Sequence, residues 1–300
     1  MSQSLTVGFV GFGEAASCFA EAFARSSDVA VRAFCDGGRN HPPYTEAFRA
    51  RVEATGTDLV DTLDEVVSGS DVVISAVQVA SAQQVGEAIA ERVEPGQLVV
   101  DINATVPEVK QHLAAAVEAR GGSFVDANLM GAITIYGHQV QLYSSGSGAE
   151  RFRELAAPYG FNVDVAGPQA GTSALVKMLR SVVTKGIEGL IVEAMTTAEY
   201  AGITEEAFHG ICDPMDETKF SYFAEMVLKT NVPHAGRRAV EMEAIVGSLQ
   251  RMGIEPTMTR ATTQRLKDST ALGLRERFGD TPPADYREVL RAYREVERPD

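Results

Sequence analysis

A glycine-containing turn near the start of the sequence constrains the fold more than any other feature. The apolar run LTVGFV at 5–10 leads directly into Gly11-Phe12-Gly13-Glu14-Ala15-Ala16, and a helical pattern continues from there. This G-x-G-x-x-A spacing after a strand is typical of dinucleotide-binding domains: the first glycine permits a tight turn, the second admits a pyrophosphate, and the alanine allows close packing. We therefore predict that a dinucleotide binds here, contacting Gly11, Phe12, Gly13, Glu14 and Ala15. The alternative is that the glycines only pack a turn.

Short β-branched runs alternate with helical stretches over the first 165 or so residues. Strands are predicted at 5–10, 29–35, 71–77, 97–103 and 123–129. Helices are predicted between them at 14–25, 44–54, 81–92 and 107–119. Such alternation favours a mostly parallel sheet, and strands that are apolar almost throughout indicate that helices cover both faces. We predict an α/β Rossmann domain with a doubly wound sheet over residues 1–168.

The sequence changes character at GPQAG, residues 167–171, beyond which the pattern is helical to the end. The first helix is predicted from Thr172 to about Tyr200, and because it is apolar around most of its circumference we expect it to be buried. Further helices are predicted at 205–211, 217–228, 233–252, 258–272 and 283–296. Residues 169–300 are therefore predicted to form an all-α domain that binds substrate and dimerises.

Composition excludes several classes of function. The 41 acidic residues against 27 basic ones give a formal charge of −14, which would repel a nucleic acid. The longest uncharged stretch, 127–149, is broken by polar residues and cannot form a membrane helix. The three cysteines show no spacing typical of a metal site or a disulfide framework, and the N-terminus does not resemble a signal peptide. We expect a soluble cytoplasmic protein with no metal, nucleic-acid or membrane partner.

The choice between NAD and NADP depends on the residues after the second strand. Asp36 ends that strand, where a carboxylate commonly accepts hydrogen bonds from the adenosine ribose and so favours NAD. Arg39 follows three residues later and could instead bind the 2′-phosphate of NADP, or it could be an exposed loop charge. We predict NAD as the cofactor, with NADP as the alternative.

Four segments occur in the order found in the β-hydroxyacid dehydrogenases. They are GFVGFGEAA from residue 8, DINAT at 101–105, FVDANLMGA at 124–132, and GPQAGTSALVK ending at residue 177. Over residues 5–200 the sequence resembles this family, most closely a branch near the 6-phosphogluconate dehydrogenases, and imine reductases are relatives. The resemblance implies an NAD(P)-dependent oxidoreductase that transfers hydride reversibly between the nicotinamide and a small hydroxy acid or sugar acid. It also implies a homodimer formed through the C-terminal helices.

The resemblance implies that Lys177 is the general acid and base. A lysine can act near neutral pH only when burial or neighbouring cations lower its proton affinity, and Lys177 lies on an apolar helix that also carries Arg180 and Lys185. Polar residues recur at helical spacing on this helix, a pattern that also fits a buried hydrogen-bond network or a solvated edge. Ser181 stands where the family has an asparagine that holds the substrate hydroxyl, and we predict that it takes over that role.

Other positions depart from the family pattern. Met130-Gly131-Ala132 replaces a Ser-Gly-Gly segment that binds the substrate carboxylate, so we expect only backbone amides to bind an anion there. We predict that Val77 and Asn103 contact the cofactor and that Thr105 contacts the substrate.

The segment that follows Pro233 contains three further candidates for binding an anionic metabolite, His234, Arg237 and Arg238. Arg237 and Arg238 could bind a carboxylate in bidentate fashion, although an exposed charged helix face is the alternative. His234 could carry a second proton or be purely structural. Two other functions stay open: reduction of a C=N bond, which the lysine disfavours, and non-catalytic binding of a dinucleotide.

Overall fold

The computed structural model describes residues 5–37 and 40–297. The chain divides into two compact units, one ending at Ser181 and the other beginning at Val182. The predicted boundary lies earlier, between residues 168 and 169, where the sequence changes from strands to helices. We call the two parts the sheet unit and the helical unit.

The sheet unit contains an eight-stranded sheet with the order β3-β2-β1-β4-β5-β6-β7-β8. Its strands are β1 (Leu5–Val10), β2 (Val29–Phe34), β3 (Asp58–Leu59), β4 (Val72–Ser75), β5 (Leu98–Asp101), β6 (Ser123–Leu129), β7 (Leu142–Ser145) and β8 (Val163–Val165). Neighbouring strands are parallel except β6 and β7, which pair antiparallel. The predicted mostly parallel sheet is therefore confirmed.

Helices cover both faces of this sheet. They are α1 (Glu14–Ala24), α2 (Glu46–Glu53), α3 (Leu63–Ser68), α4 (Ala82–Ala90), α5 (Pro107–Glu118), α6 (Ile133–Tyr136) and α7 (Ala149–Ala156). One buried cluster contains Phe9 and Phe19, and a second contains Val73 and Leu113. Because successive strand residues point to opposite faces, strands buried on both sides must be apolar throughout, which explains the sequence pattern.

Three strands are absent from the sequence-based prediction. The strand β3 has only two residues, β8 only three, and β7 ends in Ser144 and Ser145, which are polar but fully buried. The Ser144 hydroxyl donates to the Asp164 carbonyl, and the Ser145 hydroxyl donates to the Asp126 carboxylate. These side chains are satisfied by tertiary hydrogen bonds, so hydropathy alone gives no signal for the strand.

The remaining helices are α8 (Thr172–Ala201), α9 (Thr204–Asp216), α10 (Phe220–Arg251), α11 (Thr257–Ala271), α12 (Leu274–Phe278) and α13 (Tyr286–Glu297). The long helix predicted from Thr172 is confirmed. The prediction of two helices with a break before Pro233 is wrong, because α10 continues through that proline. Pro233 lies on a buried face with Val232 and Ala235, and packing of this face offsets the lost backbone hydrogen bond.

The predicted burial of α8 is wrong for the single chain. Its apolar side chains are largely exposed, including Val182 at 64% and Val192 at 56%. The other helices leave this surface uncovered, so an apolar circumference does not by itself guarantee burial. Across residues 5–37 and 40–297, no helix combines the length and the apolar character needed to cross a membrane.

Candidate active site

The predicted dinucleotide turn lies between β1 and α1. Gly11 has φ +89°, and a Cβ there would lie 2.3 Å from the carbonyl oxygen of Ala76, after β4. Its amide donates to the Phe34 carbonyl at the end of β2 at 2.8 Å. Both the backbone conformation and the close approach of β4 therefore require glycine at this position.

Open space lies in front of α1. A Cβ on Gly13 would meet nothing within 4 Å, and no side chain caps the helix at this residue. Phe12 is buried and packs edge-on against Phe9, while Ala16 is fully buried against the sheet. Glu14 is exposed and Ala15 is half-buried in the first turn. This helix N-terminus is open and has no side-chain cap, so it has room for the predicted pyrophosphate.

Asp36 is exposed and lies two residues after the end of β2. The preceding residue, Cys35, is held in place by Tyr44, whose hydroxyl accepts from the Cys35 amide at 3.1 Å. Arg39 lies outside the described residues. The carboxylate that would favour NAD is therefore accessible at the carboxyl end of β2.

Asn103 joins the loops that follow β4 and β5. Its Oδ1 accepts from the Val77 amide at 2.7 Å, and its Nδ2 donates to the Ser75 hydroxyl at 2.9 Å. Thr105 is tied to the same loop by its amide, which donates to the Asn103 carbonyl, and its buried Oγ1 has no hydrogen-bond partner. The predicted contacts Val77, Asn103 and Thr105 thus belong to one connected pair of loops.

A buried ion cluster that the sequence analysis missed lies where the last residue of β5 pairs with the middle of β6. Asp101 and Asp126 are register partners on these strands. The ammonium of Lys110, on α5, lies 3.2 Å from a carboxylate oxygen of each and donates to the Asp101 carbonyl at 2.9 Å. All three side chains are almost completely buried. The sequence signal is an aspartate near the end of each of two apolar runs, which becomes informative only once the strands are known to pair.

This cluster also holds the beginning of α8. The second carboxylate oxygen of Asp126 accepts from the amides of Gly171 at 3.2 Å and Ala174 at 2.9 Å. The side-chain amide of Asn128 donates to the Asp126 carboxylate at 2.8 Å and to the Ser173 hydroxyl at 3.0 Å. The predicted polar stripe of α8 therefore begins in a buried hydrogen-bond network.

Lys177 lies one helical turn beyond Ser173 and is half-buried. Burial lowers the pKa of its ammonium below the ordinary lysine value, and the cations of Lys110 and Arg180 lower the pKa further. The Asp126 carboxylate acts in the opposite direction. Together these effects lower the pKa of Lys177, so it can lose and regain a proton at a pH closer to neutral than a solvated lysine can.

Arg180 connects α8 to the loop after β6. Its guanidinium donates to the Met130 carbonyl at 2.6 Å, which places Met130, Gly131 and Ala132 beside the helix that carries Lys177. Ser181 is half-buried at the next turn of this helix. The sheet unit thus contains the dinucleotide turn, the Asn103 loops, Lys177 and the predicted anion-binding loop.

The remaining candidates lie on α10 in the helical unit. Arg237 pairs with Glu241, one turn away on the same helix, and Arg238 donates to the Thr230 hydroxyl at 3.1 Å. His234 is half-buried. Their role in binding substrate stays a prediction.

Comparison with known proteins agrees with these features. Residues 6–155, half of the chain, match the model of the NAD binding domain of 6-phosphogluconate dehydrogenase. Residues 198–269 match a domain of unknown function, DUF1932.

Two relatives align with this chain over nearly the whole of their own length. A protein of Methanothermus fervidus, described as an uncharacterized 28.5 kDa protein in the 7S RNA 5′ region, is 26% identical over 88% of this chain and 98% of its own. A conserved protein of unknown function, whose structure is reported to resemble 3-hydroxyacid dehydrogenases, is 30% identical, with a TM-score of 0.61 over 89% of this chain and 98% of that one.

A more distant structure shares the fold. An imine reductase from Bacillus cereus BAG3X2 is 17% identical, with a TM-score of 0.74 over 96% of this chain and 99% of that one. The match over residues 6–155 carries the family assignment, and the geometry of the Gly11–Ala16 turn agrees with it. The chain therefore belongs to the family defined by the NAD binding domain of 6-phosphogluconate dehydrogenase.

Proposed function

We propose that this protein is an NAD(P)-dependent oxidoreductase that reversibly oxidises the CH–OH group of a small hydroxy acid or sugar acid. The observation that carries the proposal is a half-buried lysine of lowered pKa in the same compact unit as an open dinucleotide turn. A bound nicotinamide would supply the hydride acceptor or donor. The chain itself would supply binding, orientation and proton transfer.

Lys177 would accept and donate the proton. In the oxidative direction its neutral amine accepts the hydroxyl proton while the carbon loses hydride with its electron pair, leaving a carbonyl. In the reductive direction the ammonium returns the proton to the carbonyl oxygen. Ser181, one turn along the same helix face, would orient the hydroxyl.

The substrate is proposed to be anionic. Backbone amides of Gly131 and Ala132 would bind its carboxylate, and Arg180 holds this loop through the Met130 carbonyl. The family serine is absent here, so the loop offers no hydroxyl to the carboxylate.

Reduction of a C=N bond is the second candidate. The replacement of the family serine and asparagine by Met130 and Ser181 favours it, because both lost groups bind features of a hydroxy acid. The two reactions differ in the substrate's charge and in the product, an alcohol or an amine.

NAD is the proposed cofactor, because the exposed Asp36 carboxylate would repel a 2′-phosphate. Asp36→Ala should raise the kcat/KM ratio of NADP to NAD by about tenfold. A native enzyme that already prefers NADP would contradict this choice and direct attention to Arg39.

We also propose a cytoplasmic homodimer. Within the helical unit an apolar cavity of about 590 Å³ is lined by residues that include Ile191, Ala194, Ile211 and Leu249. Exposed apolar surface of this kind commonly marks a protein interface, and a second copy of the chain would cover it. The three cysteines are free, as in a reducing compartment.

The test begins with thermal shift against NAD and NADP. Turnover is then measured with a panel of hydroxy acids and sugar acids, and separately with cyclic imines and NAD(P)H. Oxidation of a hydroxy acid that is lost in Lys177→Met supports the proposal. Turnover of imines alone would establish the second candidate, and cofactor binding without turnover would indicate a binding protein.

A further inference from the structure

Lys110 has no assigned role, yet its position is unusual. A fully buried lysine is rare, and its charge must be balanced inside the protein. Its ammonium has two carboxylates and one carbonyl around it, which is enough for its three donors. Buried ion clusters contribute little net stability compared with well-packed apolar residues, because desolvation opposes the attraction. Stability alone is therefore a weak reason for this cluster.

Asp126 connects the cluster to α8. One of its carboxylate oxygens faces Lys110, and the other accepts from the amides of Gly171 and Ala174. Ala174 precedes Lys177 by three residues, less than one helical turn. Any change in the position of Asp126 would therefore move the turn that carries Lys177.

We propose that Lys110 is a positioning residue for Lys177: paired with Asp101 and Asp126, it holds the first turns of α8 and keeps a second cation near the reactive amine. This inference rests on the proposed role of Lys177. Lys110 touches neither substrate nor cofactor in this scheme, since it is sealed from solvent.

The arrangement has an electrostatic consequence. The charged groups that act on Lys177 are Lys110 from α5, Asp126 from β6 and Arg180 from α8 itself. Lys110 opposes protonation of Lys177, whereas Asp126 favours it. Without the Lys110 charge, only Arg180 would oppose the attraction between Asp126 and the Lys177 ammonium. That ammonium should therefore become harder to deprotonate.

The experiment measures the reactivity of each lysine amine directly. The protein is labelled with trace acetic anhydride between pH 6 and 11, and the labelling of the peptides that contain Lys177 and Lys219 is quantified by mass spectrometry. Only the neutral amine reacts, so the pH of half-maximal labelling follows protonation and is independent of access. The exposed Lys219 is the internal reference.

The test variant is Lys110→Gln/Asp101→Asn, which removes one charge of each sign and leaves the net charge of the cluster unchanged. We expect the labelling of Lys177 at pH 8 to fall at least about threefold relative to wild type. Lys267→Gln, which removes an exposed charge in the helical unit, should leave the Lys177 curve unchanged.

Two results would overturn the inference. One is an unchanged Lys177 curve in the folded double variant. The other needs no variant: a wild-type Lys177 that reaches half-labelling at the same pH as Lys219, or at a higher one. Labelling requires neither cofactor nor substrate, so failure here is distinguishable from failure of the proposed reaction, which turnover with Lys177→Met tests.

Discussion

The sheet unit and the helical unit differ in how far their large apolar side chains are exposed to solvent. In the sheet unit Phe19 and Val73 are 1% and 0% exposed, whereas in the helical unit Phe208 and Phe220 are 50% and 58% exposed. The sheet unit covers its own core and also contains Lys177 and the open dinucleotide turn. The helical unit leaves an apolar surface that another protein copy can cover. The comparison supports the proposal that proton transfer and cofactor binding depend on the first unit and assembly on the second.

The largest effect is expected from Lys177→Met, which keeps most of the side-chain volume but removes the titrating amine. Loss of general acid–base catalysis should lower kcat by about 10²–10⁴-fold with little change in cofactor affinity. Lys267→Met in the helical unit is the matched control and should retain near-normal turnover, since its ammonium pairs with Glu243 on the surface. Rapid-quench or steady-state rates on the identified substrate measure both. A Lys177→Met enzyme as active as the control would place the base elsewhere.

Removal of an aromatic ring should affect the two units unequally. Phe19→Ala would open a cavity beside Phe161, whose ring centroid is 5.0 Å away, and should lower the free energy of unfolding by about 3–5 kcal/mol. Phe208→Ala removes a half-exposed ring and should lower it by less than about 1 kcal/mol. Urea unfolding followed by circular dichroism measures the difference. Equal losses would mean that the helical unit is packed as tightly as the sheet.

A side chain at the dinucleotide turn should abolish tight cofactor binding without unfolding the sheet. Gly13→Val would fill the open space in front of α1 and should weaken NAD(P) binding by at least about tenfold, or about 1.4 kcal/mol. A Cβ on Gly210, in α9, also meets nothing within 4 Å, so Gly210→Val is the control for a valine in open space. Calorimetric titration measures both affinities. A folded Gly13→Val protein of normal affinity would remove the basis of the cofactor site.

Charge on the exposed apolar surface should affect assembly alone. Val192→Asp places a carboxylate on the exposed apolar face of α8, next to Ile191, which lines the cavity proposed to be covered by a second copy. It should raise the dimer dissociation constant at least about tenfold. Val79→Asp introduces the same charge at a similarly exposed valine, 58% against 56%, but in the sheet unit. Light scattering at micromolar concentration should detect dissociation only in the first variant. Wild-type protein that is already monomeric would contradict the homodimer.

Local features of the site could be predicted because they depend on neighbouring residues. The Gly11–Ala16 turn is contiguous in sequence, and each residue's role follows from backbone freedom or helix packing. The pattern of α8 likewise predicts its length, Thr172–Ala201, to within a residue of the observed end. The buried Lys110 could not be predicted, since its carboxylate partners come from two strands that become neighbours only in the sheet.

Two incorrect predictions show that a local sequence pattern does not determine the tertiary packing around a helix. Pro233 predicted a helix break, but its buried face packs well enough to keep α10 continuous. The apolar circumference of α8 predicted burial, but periodicity states only that a face avoids water, not what covers it.

The sequence by itself determined five of the eight strands, the helices between them, the dinucleotide turn and the family, since these depend on short segments whose apolar periodicity and glycine spacing are local. Only the tertiary structure decided which charges face Lys177. Asp126 is paired with Lys110 on one side, and on the other it accepts from the amides of Gly171 and Ala174, which lie 45 and 48 residues further along the chain. Coulombic effects and desolvation depend on distance in space and on burial, and neither can be read from separation along the chain.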